Sequence, residues 1–113
     1  MKSKLLTSLV KTIVLRDAIV TRFMWANPHT MVLFDVKDDK GNIVHWAGEA
    51  GSAESIRLLG WNKTTLQPGD VITVYIGPPK FDNAVGRLER IALADGRTLK
   101  DSDRGARGDI TRY

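Results

Sequence analysis

Residues 12–36, "TIVLRDAIVTRFMWANPHTMVLFDV", hold two apolar segments on either side of an Asn-Pro-His corner. Apolar and polar side chains alternate in the first segment, residues 12–25, and the second, residues 30–37, is a run of mainly apolar residues. A period of two is typical of strands with one buried face. Asp17 falls among the apolar positions, which predicts a bulge or bend near Asp17 and Ala18. The stretch therefore predicts one long, bent strand, a tight turn and a second strand.

The alternation also predicts which side chains share a face. In the first strand one set contains Ile13, Leu15, Ile19, Thr21, Phe23 and Trp25. In the second strand the set that points one way is Val32, Phe34 and Val36. In a third strand, residues 42–48, Val44 and Trp46 lie opposite Ile43, His45 and Ala47.

The rest of the chain supplies the other elements of the fold. "DDKG" at 38–41 predicts a hairpin turn, and Ser52 and Gly60 are typical of the start and end of a short helix. Two more strands follow, at 71–77 and 85–93. This order predicts a mainly β (all-β class) chain with one short helix: an OB-fold-like five-stranded barrel, β1-β2-β3-α-β4-β5. Another small β-barrel or a roll with a helical cap is the alternative.

The chain has 113 residues, which fits one domain with one modest core. Residues 1–11 read as an N-terminal lead-in or the remnant of a signal segment. Residues 12–99 form the predicted barrel, and residues 100–113, which are almost free of apolar side chains, read as a flexible polar tail.

Composition and charge restrict the classes of function. The net charge is +4, but residues 26–96 hold seven basic and nine acidic side chains, so the excess lies at the two ends. Nucleic-acid binding needs positive charge clustered on the folded surface, and this distribution disfavours it. The chain has no cysteine, which excludes disulfides and thiolate metal sites. No apolar run reaches the roughly 20 residues of a membrane span.

The candidate site residues lie around the corner and in the third strand. His29 and His45 are the two histidines, and a metal bound by both would take further ligands from Asp35, Glu49 or Asn27. We expect the loop after the first strand and the third strand to lie on one side of the barrel. The predicted ligand-binding set is Trp25, Asn27, His29, His45, Trp46 and Glu49.

Each of these residues also has a structural interpretation. His29 would hydrogen-bond the backbone of the turn, and His45 would be a half-exposed strand residue. Trp46 and Trp61 would fill the ends of the barrel, where a buried indole ring contributes a few kcal/mol. Glu49, two residues before Gly51, would lie beside the first turn of the helix.

Several ordered motifs resemble a known family. They are W-x-NPH at 25–29, DVKD-x-KG at 35–41, W-x-x-E-x-GS at 46–52, the Gly-Trp helix end at 60–61, L-x-PGD at 66–70 and LADGR at 93–97. Together they resemble the small bacterial proteins of domain-of-unknown-function family 6152 over roughly residues 12–99. The resemblance implies an OB-like fold and export, usually to the periplasm. It implies no known activity.

Three hypotheses of function follow. The first is a non-enzymatic binding or accessory module of the bacterial cell envelope, with a small molecule, a metal or an envelope protein as its partner at the barrel-mouth loops. The second is a single-stranded nucleic-acid-binding OB domain. The third is a small enzyme that uses His29, His45 and Glu49. No residue pattern requires a cofactor, and an open strand edge is compatible with a homodimer. Location is periplasmic or exported by resemblance, and cytoplasmic if residue 1 is the true start.

Overall fold

The structure, a computed structural model, describes residues 12–102. Its elements in chain order are β1 (Ile13–Met24), β2 (Met31–Lys37), β3 (Ile43–Glu49), α1 (Ala53–Arg57), β4 (Val71–Ile76), β5 (Val85–Ala92) and β6 (Thr98–Lys100). The predicted lead-in, residues 1–11, and residues 103–113 of the predicted tail lie outside the described residues.

The first five strands close into a barrel. β1 pairs antiparallel with both β2 and β4, β3 pairs with β2, and β5 pairs with β4. A short parallel ladder between β3 and β5 completes the circle 1-2-3-5-4-1. This is the strand order of an OB-fold, with its helix between the third and fourth strands. The predicted fold class is therefore confirmed, and β6 is an additional strand on the outer edge of β5.

The predicted bulge in β1 is present. Asp17 has a positive φ of 56°, and the register against β4 shifts between Leu15 and Ala18. The extra residue exchanges the two faces of the strand. Ala18 is therefore buried, whereas Ile19 is 47% exposed.

The predicted grouping of Ile19 and Thr21 with Ile13 is wrong for the same reason. Val20, rather than its two neighbours, points into the core. A second register shift between Val20 and Arg22 restores the original parity. After it, Phe23 lies opposite the buried Val32.

The core collects the inward-facing side chains of all five barrel strands and of α1. Its largest members, fully buried, are Trp61, Phe34, Ile56, Leu66, Ile76, Leu88 and Ile91. Burial of each aliphatic or aromatic side chain of this kind contributes roughly 1.5–3 kcal/mol. In β2 the buried residues Val32 and Phe34 are the ones that the alternation predicts.

Gly86 allows β5 to approach β4 closely. A Cβ atom at this position would lie 2.6 Å from the carbonyl oxygen of Gly77 and 3.0 Å from Cγ1 of Ile76. Gly86 also lies in the middle of the ladder with β3, opposite Gly48. The absence of a side chain thus helps the barrel to close.

The segment after β5 extends the folded region to Asp101. The turn at 94–96 leads into β6, where Leu99 is buried. The indole Nε1–H of Trp61 donates to the carbonyl oxygen of Lys100 at 2.9 Å.

The two ends of the described chain meet at Glu89. The hydroxyl of Thr12 donates to Oε1 of Glu89 at 3.1 Å. The backbone N–H of Asp101 donates to the carbonyl oxygen of the same residue at 2.9 Å. The first and last residues of the described chain are therefore close together.

Candidate ligand-binding site

The Asn-Pro-His corner lies against the start of α1. Oδ1 of Asn27 accepts the backbone N–H of Glu54 at 3.2 Å, and the carbonyl oxygen of Ala26 accepts the N–H of Ala53 at 2.9 Å. Ser52 is the N-cap, as predicted, and its side chain accepts the N–H of Ser55. Because the first N–H groups of a helix have no partner within it, Asn27 supplies one from another part of the chain. Its observed contact is structural.

His29 and Glu49 form a pair across this corner. Nδ1 of His29 lies 3.0 Å from Oε2 of Glu49, and both side chains are about half exposed. The buried Thr30 fixes the spacing, since its N–H donates to Gly51 and its carbonyl accepts from Ala50. Glu49 therefore pairs with the histidine of the corner rather than with the first turn of α1.

His45 forms a second pair, with Asp35. The two residues are cross-strand partners on β2 and β3, and Nδ1 of His45 lies 2.6 Å from Oδ1 of Asp35. An ionised carboxylate only accepts hydrogen bonds, so Nδ1 carries the proton and Nε2 is left for another partner. The side chain of His45 is 82% exposed, so Nε2 is accessible to a ligand.

The two pairs do not converge. His45 and Glu49 are four residues apart on β3, which corresponds to roughly 13 Å along a strand. Within residues 12–102 no group of three or more histidine and carboxylate side chains is arranged to hold a metal ion. Each histidine has one carboxylate neighbour, whereas a zinc site takes about four ligands.

The three tryptophans belong mainly to the core. The ring of Trp46 lies parallel to that of Phe34, with centroids 6.3 Å apart, and the side chain is partly buried. Trp25 is tilted against Phe23 at 6.1 Å, and Phe23 in turn stacks on the buried Trp61. Of the three, Trp46 alone lines the surface groove described next.

An open groove of about 600 Å³, here called the face groove, crosses the outside of β1, β2 and β3. Its lining is Thr21, Leu33, Asp35, His45, Trp46, Ala47, Asn83, Ala84 and Val85. Apolar side chains form most of this surface, and the Asp35–His45 pair stands within it. An apolar surface with a few fixed polar groups is the common composition of a ligand site.

A second groove of about 490 Å³, the loop groove, adjoins the first. The two share Asn83 and Val85, and the loop groove adds Glu49, Pro78, Lys80, Phe81, Gly86 and Arg87. Phe81 is 77% exposed there, whereas the other phenylalanine, tyrosine and tryptophan side chains of residues 12–102 are buried or partly buried.

Arg87 and Glu49, two of the three described charged side chains that line the loop groove, each have a partner. Arg87 donates to Oδ2 of Asp101 through Nη2 at 2.6 Å and through Nε at 3.2 Å. The other carboxyl oxygen of Asp101 accepts the N–H of Gly51 at 2.6 Å. Glu49 pairs with His29, as described above.

The structure thus divides the predicted site residues. His45 and Trp46 line the face groove, Glu49 lines the loop groove, and Trp25, Asn27 and His29 line neither. The sequence reasoning missed Leu33, Ala47, Phe81, Asn83 and Val85. The sequence pattern already placed Leu33 opposite Val32 and Phe34, and Ala47 on the same face as His45, so a signal for those two was present.

Comparisons with known proteins add one finding. The model of a family of unknown function, DUF6152, matches residues 8–88. A search of curated proteins found no match, and a search of solved structures found none either. In the described part of the chain, no helix has the length and apolar character needed to cross a membrane.

Proposed function

The chain belongs to the DUF6152 family of unknown function, and from this premise we propose that it is a non-enzymatic binding module. Its ligand occupies the face groove, and the Asp35–His45 pair supplies the polar contacts. The groove of about 600 Å³ carries the proposal, because its volume falls within the 300–1,000 Å³ that is common for ligand pockets.

The arrangement of the pair supports recognition of a ligand. Asp35 fixes the orientation of the imidazole, and the exposed Nε2 of His45 is left to accept or donate one hydrogen bond. Leu33, Ala47 and Val85 offer apolar surface beside it. A ligand with an apolar body and one hydrogen-bonding group matches these features.

The other two hypotheses have less support from the geometry. Binding of single strands uses several aromatic side chains on which bases stack, whereas Trp46 is the one tryptophan, tyrosine or phenylalanine ring of residues 12–102 that lines the face groove, and it packs against Phe34. An enzyme that uses His29, His45 and Glu49 together needs the three side chains in one cleft, and roughly 13 Å along β3 separate His45 from the His29–Glu49 pair.

Amide chemical-shift mapping with a library of small aromatic and aliphatic fragments tests the proposal. We expect fragments that bind to shift the signals of Leu33, His45 and Val85. Ala47→Phe would fill the groove and abolish these shifts. Val71→Phe, which adds the same ring at an exposed position outside both grooves, would retain them. Fragments that map elsewhere, or that bind Ala47→Phe equally well, would refute the assignment.

We also propose that the module serves the bacterial cell envelope. The export that the resemblance of the sequence motifs implies supports this part of the proposal. The test expresses the gene from its natural locus with a C-terminal tag and separates periplasm from cytoplasm. Recovery of the tagged protein in the periplasm is expected, and recovery in the cytoplasm alone would contradict an envelope role.

A further inference from the structure

The barrel is incompletely paired between β3 and β5. The ladder that joins these strands runs only from Ala47 to Glu49, opposite Val85 to Arg87. Residues 43–46 belong to β3 and pair with β2, but no described strand pairs with them on the other side. The face groove lies at this gap, since His45, Trp46 and Ala47 line it on one side and residues 83–85 on the other.

Backbone polar groups of β3 point into the gap. The N–H of Ala47 points towards β5, because it donates to the carbonyl oxygen of Ala84 at 2.9 Å. Alternate residues of a strand direct their N–H and C=O groups to the same side, so those of Ile43 and His45 point the same way. No hydrogen bond is found for these groups among residues 12–102. They form a short, open strand edge of the kind that accepts another strand.

The position of residues 83–85 beside the gap favours one extended chain as its occupant. Residues 83–85 stand across the groove from β3, so the space is bounded on both sides. A single added strand needs about 4.8 Å beside its neighbour. It would also continue the β3–β5 ladder that is already present at Ala47.

The charges that line the face groove favour an uncharged segment as its ligand. The ionisable side chains that line it are Asp35 and His45, and they pair with each other at 2.6 Å. The remaining lining residues are apolar or neutral. A charged side chain placed here would lose hydration without gaining an opposite charge.

We propose that residues 43–46 of β3 bind an extended, uncharged segment of a partner protein as an added strand. Backbone hydrogen bonds to Ile43 and His45 hold the segment, and its alternate side chains enter the face groove. This inference rests on the proposed function, and it identifies the ligand as polypeptide. Backbone pairing with side-chain pockets is a recurring mode of peptide recognition.

Hydrogen exchange with a synthetic peptide tests the inference. The probe is a capped peptide of about six alternating threonine and valine residues, long enough to cover the open edge. In the free protein we expect the amides of Ile43 and His45 to exchange fast, and those of Val44 and Trp46, which face β2, to exchange slowly. The saturating peptide should slow Ile43 and His45 by about tenfold or more and leave Val44 and Trp46 unchanged.

The decisive control is the same peptide with its β3-facing amides N-methylated, which removes the donors and keeps every side chain. We expect it neither to bind nor to protect. On the protein, Ile43→Pro removes one outward N–H at the first residue of the strand, where proline is tolerated, and should weaken binding about tenfold. Ile43→Thr keeps the N–H and should bind like the parent.

Three results would overturn the inference. Equal binding of both peptides would mean that contacts with side chains alone determine binding, which leaves the proposed function intact. Absence of binding and protection with the unmodified peptide would remove the strand edge as a site, and the fragment experiment would still decide the groove. Protection of His45 in the free protein that rises with protein concentration would identify a second copy as the occupant.

Discussion

Asp101 connects the C-terminal end of the described chain to the barrel, and its loss should destabilise the fold. Its side chain is 8% exposed, and it accepts hydrogen bonds from Gly51 and Arg87. A hydrogen bond to a charged group contributes about 1.5–3 kcal/mol. The Arg87 side chain is 53% exposed, so water replaces part of its contact and that pair adds about 1 kcal/mol at most. We therefore expect Asp101→Ala to cost about 2–3 kcal/mol.

Thermal unfolding followed by circular dichroism at pH 7 measures this loss. For a domain of this size 1 kcal/mol corresponds to about 4–8 °C, so the midpoint should fall by roughly 10–20 °C. Asp101→Asn keeps an acceptor for the N–H of Gly51, so its unfolding midpoint should fall by about half as much.

Asp95→Ala is the matched control, because it removes the exposed Asp95–Arg97 pair, with both side chains more than half exposed. Its midpoint should change far less than that of Asp101→Ala. Equal shifts for Asp101→Ala and Asp95→Ala would refute the argument that burial distinguishes the two pairs.

Three further predictions concern closure, the core and pH. Gly86→Ala places a Cβ against the Gly77 carbonyl and should lower the free energy of unfolding by about 2–3 kcal/mol in chemical denaturation. Gly77→Ala, whose Cβ would have its nearest atoms 3.7 Å away, should lower it clearly less, and the reverse order would contradict this. Trp61→Phe removes the donor to Lys100 and should cost about 2 kcal/mol, and an unchanged unfolding curve would exclude that bond as a stabilising contact. The backbone N–H of Arg97, followed by its guanidinium, donates to Asp95 and holds the pKa of this carboxyl below the ordinary 3.8. The small stability that this gives is present above pH 3.8 and is lost as the pH falls. Asp95→Asn should reduce the fall in stability at acid pH, and an unchanged pH dependence would contradict the assignment.

Much of the fold could be predicted because local patterns and turns agree with the barrel. The alternation in β2 and β3 fixes their faces, and the positive φ of Asp17 occurs where the pattern breaks. The faces of Ile19 and Thr21 could not be predicted, since the exact position of an extra residue decides every face after it. β6 was missed because three residues with one buried leucine carry no periodicity.

The site was harder to predict than the fold. Cross-strand register brings Asp35 to His45 and the corner brings His29 to Glu49, and neither partner is apparent from spacing along the chain. The face groove arises where β3 and the segment before β5 separate. Such a separation is a tertiary property, with no counterpart in the composition of either segment.

Thr12 and Asp101 both contact Glu89, so the two ends of the described chain lie side by side on the barrel. Because the first and last described residues lie close together, a short linker can join them without crossing the barrel. Such a domain tolerates rearrangement of its connectivity. A circular permutant that joins residues 12 and 102 by a short linker and opens the 38–41 hairpin should fold to the same barrel.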